Sequence, residues 1–209
     1  MPEMSKIIED KKAPTADADL EYVVSCQKGD TEAFAMLVAR HSKKMLNVAY
    51  RMLNDYDEAC DITQEAFLSA FRSIGTFKAE ATFSTWLYRI VVNYTKNRLK
   101  QRQSLSRHES ASLDETKEGQ SSCVSCSVAV NGGNPEQMME CRERDEAVQK
   151  CITALEGDYR EVVVMRDIQG FSYEEIRDIL RIPDGTVKSR LSRARLALKD
   201  CLKKVIGEL

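Results

Sequence analysis

Residues 185–199, GTVKSRLSRARLALK, hold five bases (Lys188, Arg190, Arg193, Arg195, Lys199) and no acid. Val187, Leu191, Ala194 and Leu198 recur at i, i+4, i+7 and i+11, so they line one side of a helix and leave the cations on the other. A cationic helix face attracts phosphates, and Lys, Arg and Ser donors on it can read base edges. A second group has the opposite sign: Asp55, Asp57, Glu58, Asp61 and Glu65 crowd residues 55–65 with no base among them. A third is the pair Cys123 and Cys126, spaced C-x-x-C, with Cys141 and His108 elsewhere in the same half of the chain. That pair could do thiol chemistry, but a structural zinc site takes four ligands, usually as two such pairs. No metal or other cofactor is therefore expected.

The elements that must carry these groups are helical. Only four prolines and nine glycines occur in 209 residues, and alternating β-branched runs are scarce. Phe34, Leu37, Val38, Met45, Val48, Ala49 and Met52 make one apolar stripe. A second helix is predicted over 55–74, with Asp55 and Glu58 as its opening cap and Gly75 at its stop. Its buried side is Ala59, Ile62, Ala66, Ala70 and Ile74, which leaves Asp57, Asp61, Gln64, Glu65 and Leu68 outward. A third is predicted over 82–101, with Phe83, Leu87, Ile90, Val91 and Tyr94 inward and Arg89, Asn93, Lys96 and Lys100 outward beside Trp86. From Ser84 to Arg107 there are six bases and no acid. Near the C-terminus, Ser172 and Glu175 form a capping box and Pro183 interrupts, so FSYEEIRDILRIPDGTVKSRLSRARLALK reads as a helix-turn-helix whose second helix offers Lys188, Ser189, Ser192 and Arg193 to DNA.

Composition excludes several classes. The net charge is −2, so the chain is not a polycation, and charge distribution must carry any nucleic-acid binding. The first nineteen residues are polar, and no run reaches the ~18 apolar residues of a membrane span. A cytoplasmic protein is expected, with reduced thiols, no disulfide staples, and helical cysteines acting as small buried hydrophobes. No P-loop, H-E-x-x-H or G-x-S-x-G occurs, and His41 and His108 lie far apart, so an enzyme is not expected.

Five stretches, AFAMLVARHSKKMLNVAYRML, DEACDITQEAFLSAF, FSTWLYRIVVNYTKNRL, YREVVVMRDIQGFSYEEI and GTVKSRLSRARLAL, together resemble the bacterial sigma factors of the extracytoplasmic-function (ECF) class, in the sigma-70 family, and in the family's order. The resemblance implies an all-α fold. A polar tail (1–19) precedes a region 2-like helical bundle (20–107), a flexible linker (108–137) and a region 4-like helix-turn-helix domain (138–209). It also implies a subunit that binds core RNA polymerase, through the β′ clamp and the β flap, and directs initiation at promoter DNA. Asp61, Gln64 and Glu65 match the D-x-x-Q-E positions of the clamp-docking helix. Asn93, Arg89, Lys96 and Trp86, with Phe77 and Lys78 of the loop TFKAEAT, match the minus-ten region. Trp86 reads equally well as core, and Phe77 and Phe83 read better as core than as ligands. Lys188, Ser189 and Arg193, with Ser192 among them, match positions that read the minus-thirty-five element, and Arg190 and Arg195 suit phosphate or surface roles. An anti-sigma factor is the implied control.

Three departures from the family stand out. Glu156 in LEGDYR replaces a usual Pro, and Arg177 sits where a small residue lets the two helices approach. The acid-rich linker is long and carries CVSC. Two other readings stay open on the residues alone: a stand-alone helix-turn-helix regulator, and a thiol or metal sensor working through the linker cysteines.

Overall fold

A computed structural model describes residues 18–109 and 135–206; residues 1–17 of the N-terminal tail and most of the linker, with its C-x-x-C pair, lie outside the described residues. Eight α-helices and no strand occur among the described residues: α1 (Leu20–Gln27), α2 (Thr31–Leu53), α3 (Tyr56–Ser73), α4 (Phe83–Glu109), α5 (Pro135–Ala154), α6 (Gly157–Val163), α7 (Tyr173–Leu180) and α8 (Asp184–Ile206). The fold is all-α, as the patterning requires.

Local chemistry sets the boundaries. Asp30 opens α2 by accepting from the amides of Glu32 and Ala33, and Asn54 ends it in the left-handed region at φ 57°. Asp55 caps α3 by accepting from the Glu58 amide at 3.0 Å, the role its spacing predicts. The helix stops at Ser73, where a 3₁₀ turn (Ile74–Thr76) containing Gly75 leads into a loop. Thr82 then accepts from the Thr85 amide and starts α4. In the second half, Ser172 and Glu175 close the reciprocal capping box on α7. Arg181 ends α7 in the left-handed region, and Pro183 separates it from α8.

The α1–α4 bundle buries the predicted stripe of α3 completely: Ala59, Ile62, Ala66 and Ala70 are each at most 1% exposed. Phe83 and Leu87 of α4 are 0% exposed and face the same core. At its edge, Asp19 accepts from Arg40 at 2.6 Å and pairs with the His41 ring at 2.7 Å, which moors α1 to α2. The α5–α8 bundle has its own apolar centre in Ile152, Val162, Met165, Ile176, Val187 and Leu191. A turn of π-helix (Val164–Ile168) extends α6 toward the helix-turn-helix.

The two bundles pack on each other. Tyr88 of α4 meets Phe171 edge-to-face at 4.6 Å and its hydroxyl donates to Gln169. Arg51 of α2 donates to Gln149 of α5 at 2.9 Å, and Gln149 donates back to the Arg51 carbonyl. Arg160 of α6 donates to the Met52 carbonyl at the end of α2.

The cysteines correct the expectation of reduced, unbridged thiols. Cys151 of α5 and Cys201 of α8 form a disulfide with Cα atoms 5.7 Å apart. Cys26 and Cys60 are free thiols, Cys26 buried among apolar side chains as expected.

Candidate nucleic-acid interface

Recognition by α8 depends on which side of it is free. Val187 (0%), Leu191 (2%) and Ala194 (0%) are buried against α6 and α7, which turns Lys188, Ser189, Ser192 and Arg193 outward into solvent. Their neighbours behave differently. Arg190 is ion-paired with Asp158 of α6, and Arg195 forms a two-point pair with Asp167. These two arginines fasten α8 to its own domain and leave four exposed polar side chains on the first turns. Lys188 also lies 6.0 Å from the Tyr173 ring centre, which steadies it beside α7. Arg177 reaches away from the helix crossing, bonding Asp178 at 3.0 Å and approaching Asp184 at the start of α8. Its size therefore does not pry the two helices apart.

On the first bundle, α3 presents Asp61, Gln64 and Glu65, all exposed. Two acids of the helix, one of them the candidate Glu65, are partly neutralised by the basic helix alongside: Arg102 lies 3.3 Å from Glu58 and Arg98 lies 3.8 Å from Glu65. Next to this acidic strip runs an apolar groove of about 530 Å³ between α2 and α3, lined by Phe34, Val38, Phe67, Leu68 and Phe71 with Gln64 at its rim. Leu68 is 55% and Phe71 43% exposed. An apolar trough on the helix that carries the acidic strip suits a protein partner better than a nucleic acid, since carboxylates repel phosphates. The pattern of charges pointed to the acids but not to the groove, because Phe34 falls in an apolar stripe that reads as ordinary core.

The α4 face is shared among three uses. Trp86 is half-buried in a cluster with Phe77 (5.2 Å) and Phe83 (5.7 Å), so it props the 77–82 loop while keeping one edge at the surface. Lys78 and Asn93 are exposed. Arg89 and Lys96 are engaged by the second bundle: Arg89 donates to the Asp178 carbonyl at 2.7 Å, and Lys96 pairs with Glu161 at 3.0 Å. Sequence patterning placed both on a solvent face and could not foresee these partners, which lie far along the chain.

Glu161 is 3% exposed, and its carboxyl is pushed up from the ordinary range, chiefly by burial and secondarily by Asp158, against the opposing pull of Lys96 and Arg190. A raised carboxyl adds most to stability below its unfolded pKa, and that contribution is lost as pH rises through the folded value. At neutral pH the buried charge thus works against the packed arrangement. Glu161→Gln keeps an acceptor for Lys96, which is one-third exposed and can also reach water. The variant is expected to raise the melting midpoint at pH 7. The gain should vanish on acidification, as paired melting curves would register.

Similar proteins agree with this geometry. The family description "Sigma-70 region 2" matches residues 37–105 and "Sigma-70, region 4" matches residues 145–198. The RNA polymerase sigma-H factor of Pseudomonas aeruginosa is 34% identical over 93% of this chain and 98% of its own length. The ECF RNA polymerase sigma factor SigW of Bacillus subtilis is 38% identical over 85% of this chain and 92% of its own. Among solved structures, CnrH in complex with the cytosolic domain of CnrY shares the fold, with TM-score 0.63 and 23% identity, covering 90% of this chain and 99% of that one. With two family regions in order on two packed helical bundles, the chain belongs to the ECF sigma factors of the sigma-70 family.

Proposed function

We propose that the chain is an alternative sigma factor that binds core RNA polymerase and directs transcription initiation at promoters with minus-ten and minus-thirty-five elements. The observation that carries the reading is the pairing, in one chain, of an outward Lys188, Ser189, Ser192 and Arg193 face on α8 with an exposed acidic strip and apolar groove on α3. The first suits duplex DNA and the second suits a protein. A stand-alone regulator would have no use for the second.

In this reading residues 20–107 and 138–209 act as two functional domains. Asp61, Gln64 and Glu65 meet the polymerase clamp. Lys188, Ser189, Ser192 and Arg193 read the minus-thirty-five duplex, with Arg190 at its phosphates once released from Asp158. Asn93, Arg89, Lys96 and Trp86, with Phe77 and Lys78, line the minus-ten side, where a base leaving the stack needs polar and aromatic walls. Because Arg89 and Lys96 are held by the second bundle, the bundles must part before both can face DNA. A protein that keeps them packed, in the manner of an anti-sigma factor, would silence the chain.

The test is Arg193→Ala in holoenzyme reconstituted with core polymerase. Promoter affinity should fall about tenfold, with relaxed selectivity at one position of the upstream element. Arg190→Ala should weaken all promoters alike and lower the salt slope by about 1. Unchanged binding by both variants would detach α8 from the reading.

A further inference from the structure

The α5–α8 bridge is a chemical group that promoter recognition does not use. An RNA polymerase subunit works where thiols are held reduced, and disulfides in such surroundings are mostly transient and redox-sensing. The two cysteines are unequal: Cys151 is 0% exposed, whereas Cys201 is half-buried. The bridge also occupies a mechanical node. Two residues before Cys151, Gln149 holds Arg51 of the first bundle through both ends of its amide. Helix α5 is thus the strut that ties the recognition helix, through sulfur, to α2.

We propose that Cys151 and Cys201 form a thiol–disulfide exchange site through which small thiols and their disulfides set how firmly the two bundles stay packed. In the oxidised chain, α8, α5 and α2 form one linked unit, and Arg89 and Lys96 remain engaged with Asp178 and Glu161. For reduction, the thiolate of a small thiol attacks the sulfur of the half-buried Cys201. The S–S bond breaks, Cys151 leaves as thiolate and takes up a proton, and a mixed disulfide remains on Cys201. A second thiolate attacks the small-thiol sulfur of that mixed disulfide and releases Cys201. One protein disulfide and two small thiols become a protein dithiol and one small disulfide, so two electrons pass to the chain; oxidation by the small disulfide runs the same steps backwards. Reduction frees α8 from α5, loosens the strut and lets the bundles part.

The experiment equilibrates the full-length chain with reduced or oxidised glutathione, maps the Cys151–Cys201 peptide by mass spectrometry, and measures run-off transcription with core RNA polymerase. Transcription from the oxidised chain should be about tenfold lower, a typical coupling between sites, and recover with dithiothreitol. Cys201→Ser should transcribe at the reduced level in both buffers, while Cys123→Ser with Cys126→Ser should remain sensitive, which excludes the linker pair. Two results overturn the proposal: equal transcription from both states when the peptide map shows the bond complete, or no Cys151–Cys201 peptide at any glutathione ratio. The wild-type comparison decides even where a variant folds poorly. Failure of the sigma reading looks different, because the reduced chain would then give no transcript at all.

Discussion

Replacing Asp61 and Gln64 together with alanine should weaken binding to core RNA polymerase about a hundredfold and remove promoter-dependent transcription. Both side chains are exposed, so the fold should tolerate their loss to within about 0.5 kcal/mol. Their value lies in position. Gln64 lines an apolar groove whose Leu68 and Phe71 are open to solvent, Asp61 lies one helical turn away, and groups desolvated at the centre of an interface carry most of its energy. A fluorescently labelled chain titrated with core enzyme measures the effect. Wild-type affinity in the double variant would move the docking surface elsewhere, most simply into the groove itself, where Leu68→Glu is the next change to make.

The second large effect is Arg160→Ala. This guanidinium donates to the carbonyls of Thr153 and Leu155, which end α5, and to that of Met52, which ends α2 in the other bundle. Helix ends leave such carbonyls without intrahelical partners, and a charged donor to each is worth more than a neutral one. Alanine should cost about 3 kcal/mol, because the contributions overlap and water enters part of the space. For a chain of this size the melting midpoint should fall by roughly 6–12 °C. Circular dichroism on heating would measure it. A fall of under 2 °C would mean that these carbonyls are as well served by water.

Arg160 also marks where sequence reading stops. Periodicity identified the buried side of α3 and the apolar back of α8, because each depends on residues within two or three helical turns. Asp55 and the Ser172–Glu175 box were legible for the same reason: a cap is a local bond. Arg160, by contrast, acts through a carbonyl of residue 52, and Arg89 and Lys96 through partners in α7 and α6. Such bonds depend on how bundles dock, which no helical period encodes. Trp86 was ambiguous between core and surface, and in the fold it serves both, with one side in an aromatic cluster.

The disulfide was missed for a different reason. Compartment reasoning says that an intracellular chain keeps its thiols, and it drew attention to the C-x-x-C pair instead. Cys151 and Cys201 are separated by 50 residues and meet only because α5 packs along α8. Nothing in their local sequence distinguishes them from the free, buried Cys26. The same docking that hides Arg89 and Lys96 brings α5 against α2, so closure and bridge belong to one arrangement.

Run-off transcription on a library of genomic promoter fragments, with core polymerase and with or without the reduced chain, asks whether this chain gives RNA polymerase its promoter choice. Transcripts should appear only with the chain and share two upstream motifs, spaced as two recognition domains require. Tight binding to duplex DNA without any chain-dependent transcript would contradict it and leave a helix-turn-helix regulator in its place.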